Sequence, residues 1–450
     1  MADATIPQAN FAAILDDLTR ANVDVATRFP GEPETRQPVH TVYGGAHLFT
    51  SDLTAKLGAA ALTTLKEYAP HAPALATAFE LPEALARRIH PRLVDKLTRE
   101  PVEDFRIDFE DGFGNRPDDE EDRFARGAAD EVAAAMQART LPPGIGIRIK
   151  TLSEELKRRS LRTFDLFLTR LLERSGGALP ENFVVTLPKI TAPEQVSAMA
   201  AACDAFERTA RLRPGALRFE LMVETTQSVF APDGSVALPR LVAEGHGRVV
   251  AAHFGTYDYT AACGITAAHQ HMRHPACDFA KSVMQVALAG TGIRMSDGAT
   301  NVMPVGPHRE RPGGSLTAAE RDDNRTVVHR AWRQHAGDIR HSLETGFYQG
   351  WDLHPGQLPS RYATVFAFFQ EGLDAASERL TNFVRKAAQA TLVGDVFDDA
   401  ATGQGLLNYF LRAMNCGAIT EAEAISMSGL TIDELRSRSF VKILANRKRT

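Results

Sequence analysis

Eight short runs rich in Val, Ile, Phe and Thr recur along the chain, separated by longer stretches with helical spacing. They cover Val39–Gly45, Phe105–Gly112, Ile145–Lys150, Phe183–Ile190, Leu217–Thr225, Arg248–Asp258, Thr300–Gly306 and Gly350–His354. Seven end in Gly or a polar residue and the fourth carries Pro188-Lys189 just before its end, as buried parallel strands do. In one spacer, Val196, Met199, Ala200, Cys203 and Phe206 fall on a single helical stripe, so Cys203 reads as a packing residue. Strand and helix alternating eight times predict an α/β fold, a (β/α)8 TIM barrel in preference to a doubly wound sheet.

Such a barrel needs about 250 residues, and the chain has 450. The excess divides into a helical N-terminal extension over 1–36, a barrel over 37–395 and a helical appendage over 396–450. The extension carries a helix from Phe11 to Arg20 and then Pro30-Gly-Glu-Pro33. The barrel carries a helical insertion over 51–99 and a further segment from Arg309 to Thr345. The last helix opens with the capping box Thr431-Ile-Asp-Glu434. The acidic run Asp118–Asp122 reads as the solvated first turn of a helix, where the dipole favours it.

Charges inside the strands change the picture. Side chains alternate faces along a strand. Arg106, Asp108 and Glu110 therefore share one face, opposite Ile107 and Phe109. Glu220, Met222 and Glu224 share another, opposite Phe219, Leu221 and Val223. Arg148 points away from Ile147 and Ile149. With the apolar faces on the outer helices, these charges enter the barrel, where they must pair or hold a metal. At the C-terminal strand ends they read as an active site; a structural ion-pair network is the alternative. Glu224 and Asp258, on neighbouring strands, offer two carboxylates that suit a hard cation such as Mg²⁺. Gly255 before the polar turn lets backbone N–H groups approach a small anion.

Composition narrows the class. Lys and Arg number 51 against 56 Asp and Glu, a net charge of −5, and 44% of residues are hydrophobic. This excludes a polybasic nucleic-acid binder and a disordered acidic protein. No run is long and apolar enough for a membrane span, and Met1-Ala-Asp-Ala-Thr-Ile6 lacks a signal-peptide pattern. Cys203, Cys263, Cys277 and Cys416 are too scattered for a disulfide framework. A cytoplasmic protein without nucleic-acid or membrane partners is the expectation, and the Asn324-Arg-Thr326 sequon is then irrelevant.

Six short motifs in order resemble the HpcH/HpaI aldolase and citrate lyase β-subunit family, within the phosphoenolpyruvate/pyruvate barrel group that includes malate synthase. They are Asp108-Phe-Glu-Asp-Gly112, Ile147-Arg-Ile-Lys150, Leu187-Pro-Lys189, Val223-Glu-Thr225, Gly255-Thr-Tyr-Asp258 with Gly264, and His354-Pro-Gly-Gln357. The resemblance covers roughly 37 to 370. It implies Mg²⁺, or Mn²⁺, on Glu224 and Asp258, with Glu110 and Asp111 supporting the metal's water shell. It places Arg148 on the substrate's carboxylate or oxo oxygen and the Gly255 and Thr256 amides around the carboxylate. The chain departs from the family at Asp111-Gly112, where HpaI-type aldolases carry a His, and at Lys150, where Asn is usual. Tyr259 stands where the family has Leu, closer to malate synthase's Trp-Asp-Tyr. Barrels of this type resemble trimers or hexamers, so a homo-oligomer is expected.

The activity implied is a Mg-dependent carbon–carbon lyase acting on a small 2-oxo acid or related carboxylate through a metal-stabilised enolate. The alternatives are an acyl-CoA lyase or malate-synthase-like condensing enzyme or thioesterase, using a CoA thioester, and a non-catalytic barrel subunit. Candidates for proton transfer are His47, just past the first strand, and Asp352 and His354 at the end of the last. His269, His271, His274 and Cys277 lack zinc spacing and read as a loop beside the substrate. Lys189 could be a Schiff-base lysine, but the resemblance is to metal-dependent enzymes. Gly144-Ile-Gly146 lacks the third Gly of a dinucleotide fingerprint.

Overall fold

A computed structural model describes residues 8–31, 33, 35–310, 313–385, 391–393, 396–398 and 400–447. Eight parallel strands form the barrel: β1 His40–Gly45, β2 Asp104–Asp108, β3 Gly144–Arg148, β4 Phe183–Leu187, β5 Arg218–Val223, β6 Val249–Phe254, β7 Arg294–Ser296 and β8 Gly350–Asp352. They pair in the order β7-β6-β5-β4-β3-β2-β1-β8. The ring closes by a bridge between Ala299 and Trp351, with the Asp297 N–H donating to Gln349 O at 2.8 Å. The expected (β/α)8 barrel is therefore the fold.

The alternation works as the pattern requires. Phe105 and Ile107 on β2, Phe109 just after it, and Phe219, Leu221 and Val223 on β5 are buried in the main core under the helices. The opposite residues point inward and form two levels. Toward the N-terminal ends, Arg106 binds Glu220 through two 2.7 Å hydrogen bonds and Asp104 at 2.5 Å. Thr186 donates to Glu220 at 2.5 Å, and His253 lies 3.3 Å from it. Burial alone would raise the Glu220 carboxyl, but Arg106 and His253 hold it at about 2. This level is the structural ion-pair network. Tyr43, Met222, Ala299 and Trp351 form a small separate cluster inside the barrel. The C-terminal level holds the remaining charges.

The seventh strand departs from expectation. It is Arg294–Ser296, while Thr300–Gly306 is irregular. The strand stops where Asp297 turns to meet Lys281 at 2.9 Å and Ser342 at 2.6 Å. Thr300 is held by its side-chain bond to Asp338 and by Gln357, not by a ladder. The acidic turn is also not simply solvated. Glu121 is fully buried, 3.0 Å from Lys150 and bonded by Thr163, and Asp122 pairs with Arg159 and Arg162.

The insertion consists of the Leu53–Tyr68, Ala72–Phe79 and Glu83–Arg99 helices, which pack on Ala318–Glu344 and Leu358–Glu371. Beyond the barrel lie Leu373–Arg385, a Thr391–Val393/Val396–Asp398 hairpin, and the Ala400–Asn415, Glu421–Ser428, Ile432–Arg436 and Phe440–Arg447 helices. The boundary expected at residue 395 lies outside the described residues. Thr431 and Glu434 form the expected capping box. The N-terminal helix runs over Gln8–Arg28 and exposes Ile14, Leu15 and Leu18. No described helix is long and apolar enough to cross a membrane.

Candidate active site

Five carboxylates and two cations meet at the C-terminal mouth of the barrel, each placed by a strand end. Asp108 closes β2 and stands opposite Arg148, which closes β3. Arg148 Nε donates to Asp108 Oδ1 at 2.7 Å and Nη2 to Oδ2 at 2.5 Å. The same carboxylate accepts the Glu110 and Gly112 N–H groups, so it also shapes the loop after β2. Arg148 lies 5.0 Å above the Tyr43 ring, and its Nη1 reaches Glu110 at 3.3 Å and Asp111 at 3.7 Å.

Glu224 follows β5, and Asp258 sits in the first turn of the Thr256–Ala262 helix after β6. Gly255 leaves room for Glu224: a Cβ there would lie 2.4 Å from Glu224 Oε2 and 2.5 Å from its Cβ. Lys189 follows β4. Its N–H donates to Glu224 Oε1 at 2.8 Å, and its ammonium reaches Glu110 at 2.5 Å, Asp111 at 2.9 Å and Asp258 at 3.7 Å.

The charges do not balance, and the carboxyls show it. Burial, then the Asp258 charge, push Glu224 up to about 8. Burial pushes Glu110 up to about 7, against the pull of Arg148 and with the Asp111 charge adding to it. Burial raises Asp258 as well, against Lys189. Burial and like charge both raise a carboxyl, and a cation set among these groups would lower them again. Among the described residues no group of three or more His, Cys, Asp or Glu is arranged to hold a metal. Two hard oxygen donors in a cradle that only glycine permits nevertheless fit Mg²⁺, which uses one or two carboxylates and keeps several waters.

The other expected residues are placed differently. The Gly255 N–H is committed to Val223 O at 3.0 Å in the β5–β6 ladder, so it is not a free anion donor. Thr256 opens its helix, with a buried Oγ1 that has no hydrogen-bond partner among the described residues. Asp352 faces outward from β8, where His40, His335 and Arg361 enclose it at 2.6, 3.1 and 2.9 Å. It is a buried structural anchor away from the mouth. His354 caps the following turn, its Nδ1 accepting from the Gly356 N–H at 3.0 Å. His47 stands at the rim against Phe113 and Phe124, its Nδ1 buried without a partner among the described residues. Burial and then the Arg116 charge lower its pKa. His274 caps the Pro275–Leu288 helix and Cys277 is buried beneath it.

Sequence reasoning set Asp108 on the inward face without giving it a part, weighed Lys189 only as a Schiff-base lysine, and missed Tyr43. Asp108 shares the inward face with Glu110, a signal that was available. Tyr43 and the ammonium of Lys189 could not be placed, because both depend on barrel stagger. Ion pairing also keeps Lys189 charged, whereas a Schiff-base lysine must become neutral.

Residues 18–443 match the model of a family described as Domain of unknown function (DUF6986). The chain belongs to this family. No curated protein matches the sequence. Among solved structures, this DUF6986 member is similar to a citrate lyase from Burkholderia xenovorans LB400, with 20% identity and a TM-score of 0.56 over 87% of this chain and 97% of that one. It is also similar to CitE from Mycobacterium tuberculosis, solved with magnesium, acetoacetate and coenzyme A, at 15% identity and a TM-score of 0.49 over 85% and 99%. An HpcH/HpaI aldolase/citrate lyase family protein from Burkholderia cenocepacia J2315 aligns at 12% identity and a TM-score of 0.39 over 81% and 99%. The first likeness shows that the DUF6986 member shares the citrate lyase barrel fold.

Proposed function

We propose that the protein is a metal-dependent carbon–carbon lyase acting on a small 2-oxo acid or related carboxylate. The observation that carries this reading is the cluster at the mouth, where Glu224 sits in the space that Gly255 leaves and Lys189 links it to Glu110, Asp111 and Asp258. Glu224 and Asp258 would hold Mg²⁺ or Mn²⁺, which supplies Lewis-acid polarisation of the substrate carbonyl.

The chain's own groups account for the rest. Arg148 is fixed by Asp108 and Tyr43, and its Nη1, held only by the longer contacts to Glu110 and Asp111, is the positive charge that would meet negative charge developing on a substrate oxygen. The Thr256 N–H, at the start of a helix and without an intrahelical partner, supports the substrate carboxylate. Glu110 and Asp111, tied to Lys189 at the mouth, would support the water shell of such a cation. Glu110, held near neutrality, can give or take a proton there, and His47 at the rim is the second proton-transfer candidate.

The test is cleavage of a panel of 2-oxo acids, including oxaloacetate, by the full chain with and without Mg²⁺, beside CoA thioesters assayed for thiol release. Turnover of a 2-oxo acid that disappears on chelation and in Glu224→Gln supports the reading. Undiminished turnover in rigorously metal-free protein, or thiol release alone, contradicts it.

A further inference from the structure

Lys189 has an unusual backbone for its residue type. At the end of Leu187-Pro-Lys189 its φ is 50°, the left-handed region that a side chain with a Cβ adopts at a cost. The neighbouring contacts show what this conformation secures. It turns the Lys189 N–H onto Glu224 Oε1 at 2.8 Å and carries the ammonium between Glu110 at 2.5 Å, Asp111 at 2.9 Å and Asp258 at 3.7 Å. One residue therefore touches Glu224 through its backbone and approaches Asp258 through its side chain. It also ties both to the acidic loop after β2. The side chain is 27% exposed, so the ammonium lies where the mouth opens and can shift.

We propose that Lys189 is an internal counter-cation that shares Asp258 with the divalent ion and thereby sets the metal affinity of the site. The inference rests on the metal reading above. Without metal, the ammonium keeps like charges from driving the loop after β2 away from Asp258. With metal, it withdraws from Asp258 and remains on Glu110 and Asp111, which keeps their charges from competing for the ion. A fixed positive charge this close to a ligand carboxylate opposes a second cation, so the site binds its metal more weakly than the bare carboxylates would. Lys189 is thus a positioning residue, acting through the carboxylates.

Calorimetric titration of the full chain with MgCl₂ and with MnCl₂ tests this in wild type, Lys189→Met, Lys189→Arg and Glu224→Gln. Removing the ammonium is expected to tighten binding by about tenfold or more, while Lys189→Arg stays near wild type. In chelator, Lys189→Met is expected to melt lower than wild type and to gain more on adding Mg²⁺. A merely structural lysine would lower the melting temperature without tightening metal binding. Lys189→Asn, which tolerates the left-handed backbone, serves if Lys189→Met does not fold. Equal or weaker binding in the Lys189 variants, with binding still lost in Glu224→Gln, overturns this proposal alone. No binding to wild type or to any Lys189 variant overturns the metal reading and this proposal with it.

Discussion

Arg148 and Asp108 are opposite each other in the β2–β3 ladder and are joined by a two-point ion pair, Nε to Oδ1 at 2.7 Å and Nη2 to Oδ2 at 2.5 Å. The pair does two jobs, because Asp108 also accepts the Glu110 and Gly112 N–H groups. A substitution here should therefore disturb both the guanidinium and the acidic loop. Arg148→Lys keeps a charge but loses the fork, and kcat is expected to fall about 100-fold or more. Asp108→Ala removes the two-point partner of a buried guanidinium and leaves it only the longer contacts to Glu110 and Asp111, so stability should fall by about 3 kcal/mol, read by denaturant unfolding.

Gly255 is a space requirement. A Cβ would lie 2.5 Å from the Cβ of Glu224, an atom that no rotamer of Glu224 can move. Gly255→Ala should push the β5 and β6 ends apart and weaken Mg²⁺ binding about tenfold or more, with loss of turnover. Unchanged affinity in the calorimeter would show that Glu224 is not held against this turn for metal.

The pH dependence has a definite sign. Glu224 rises from 4.5 to about 8 in the folded protein, chiefly by burial and then by Asp258. A carboxyl raised on folding binds more protons folded than unfolded, so its contribution declines as pH climbs from 4.5 toward 8. Metal-free protein should lose thermal stability across that window, and Glu224→Gln should flatten the decline. Mg²⁺ competes with the same proton, so its affinity should rise over the window with proton release on binding.

The inner ion pair behaves oppositely. Glu220 lies at about 2 against an ordinary 4.5, because Arg106 and His253 outweigh its burial. Its stabilisation is present above 4.5 and is lost as pH falls toward 2. Arg106→Met should destabilise by about 3–5 kcal/mol while leaving Mg²⁺ affinity unchanged, since the pair lies below the mouth.

Strand periodicity was enough to show which charges enter the barrel, since alternation sends Arg106, Asp108, Glu220 and Glu224 inward whatever the helices do. It could not separate the closed level from the open one. That distinction depends on stagger, which brings Glu220 onto Arg106 and leaves Glu224 beside Gly255. The β7 strand was hidden because Arg294-Met-Ser296 has no β-branched residue, while the apolar run after it is held by Asp338 and Gln357. Asp352 looked like a rim acid by position. With Trp351 on the inner face, it points instead to His335 and Arg361. The Gly255 amide was lost to the ladder for a similar reason: a strand's last N–H bonds its neighbour before it can bond a ligand.

The central claim is that Glu224 and Asp258 hold one divalent ion at the barrel mouth. Anomalous diffraction from crystals of the full chain grown with MnCl₂ and pyruvate tests it most directly. The expected result is a single strong peak about 2.0–2.3 Å from an oxygen of each carboxylate, with pyruvate beside it and facing Arg148. A map without a peak between Glu224 and Asp258, in crystals that take up Mn²⁺ elsewhere, would contradict the account.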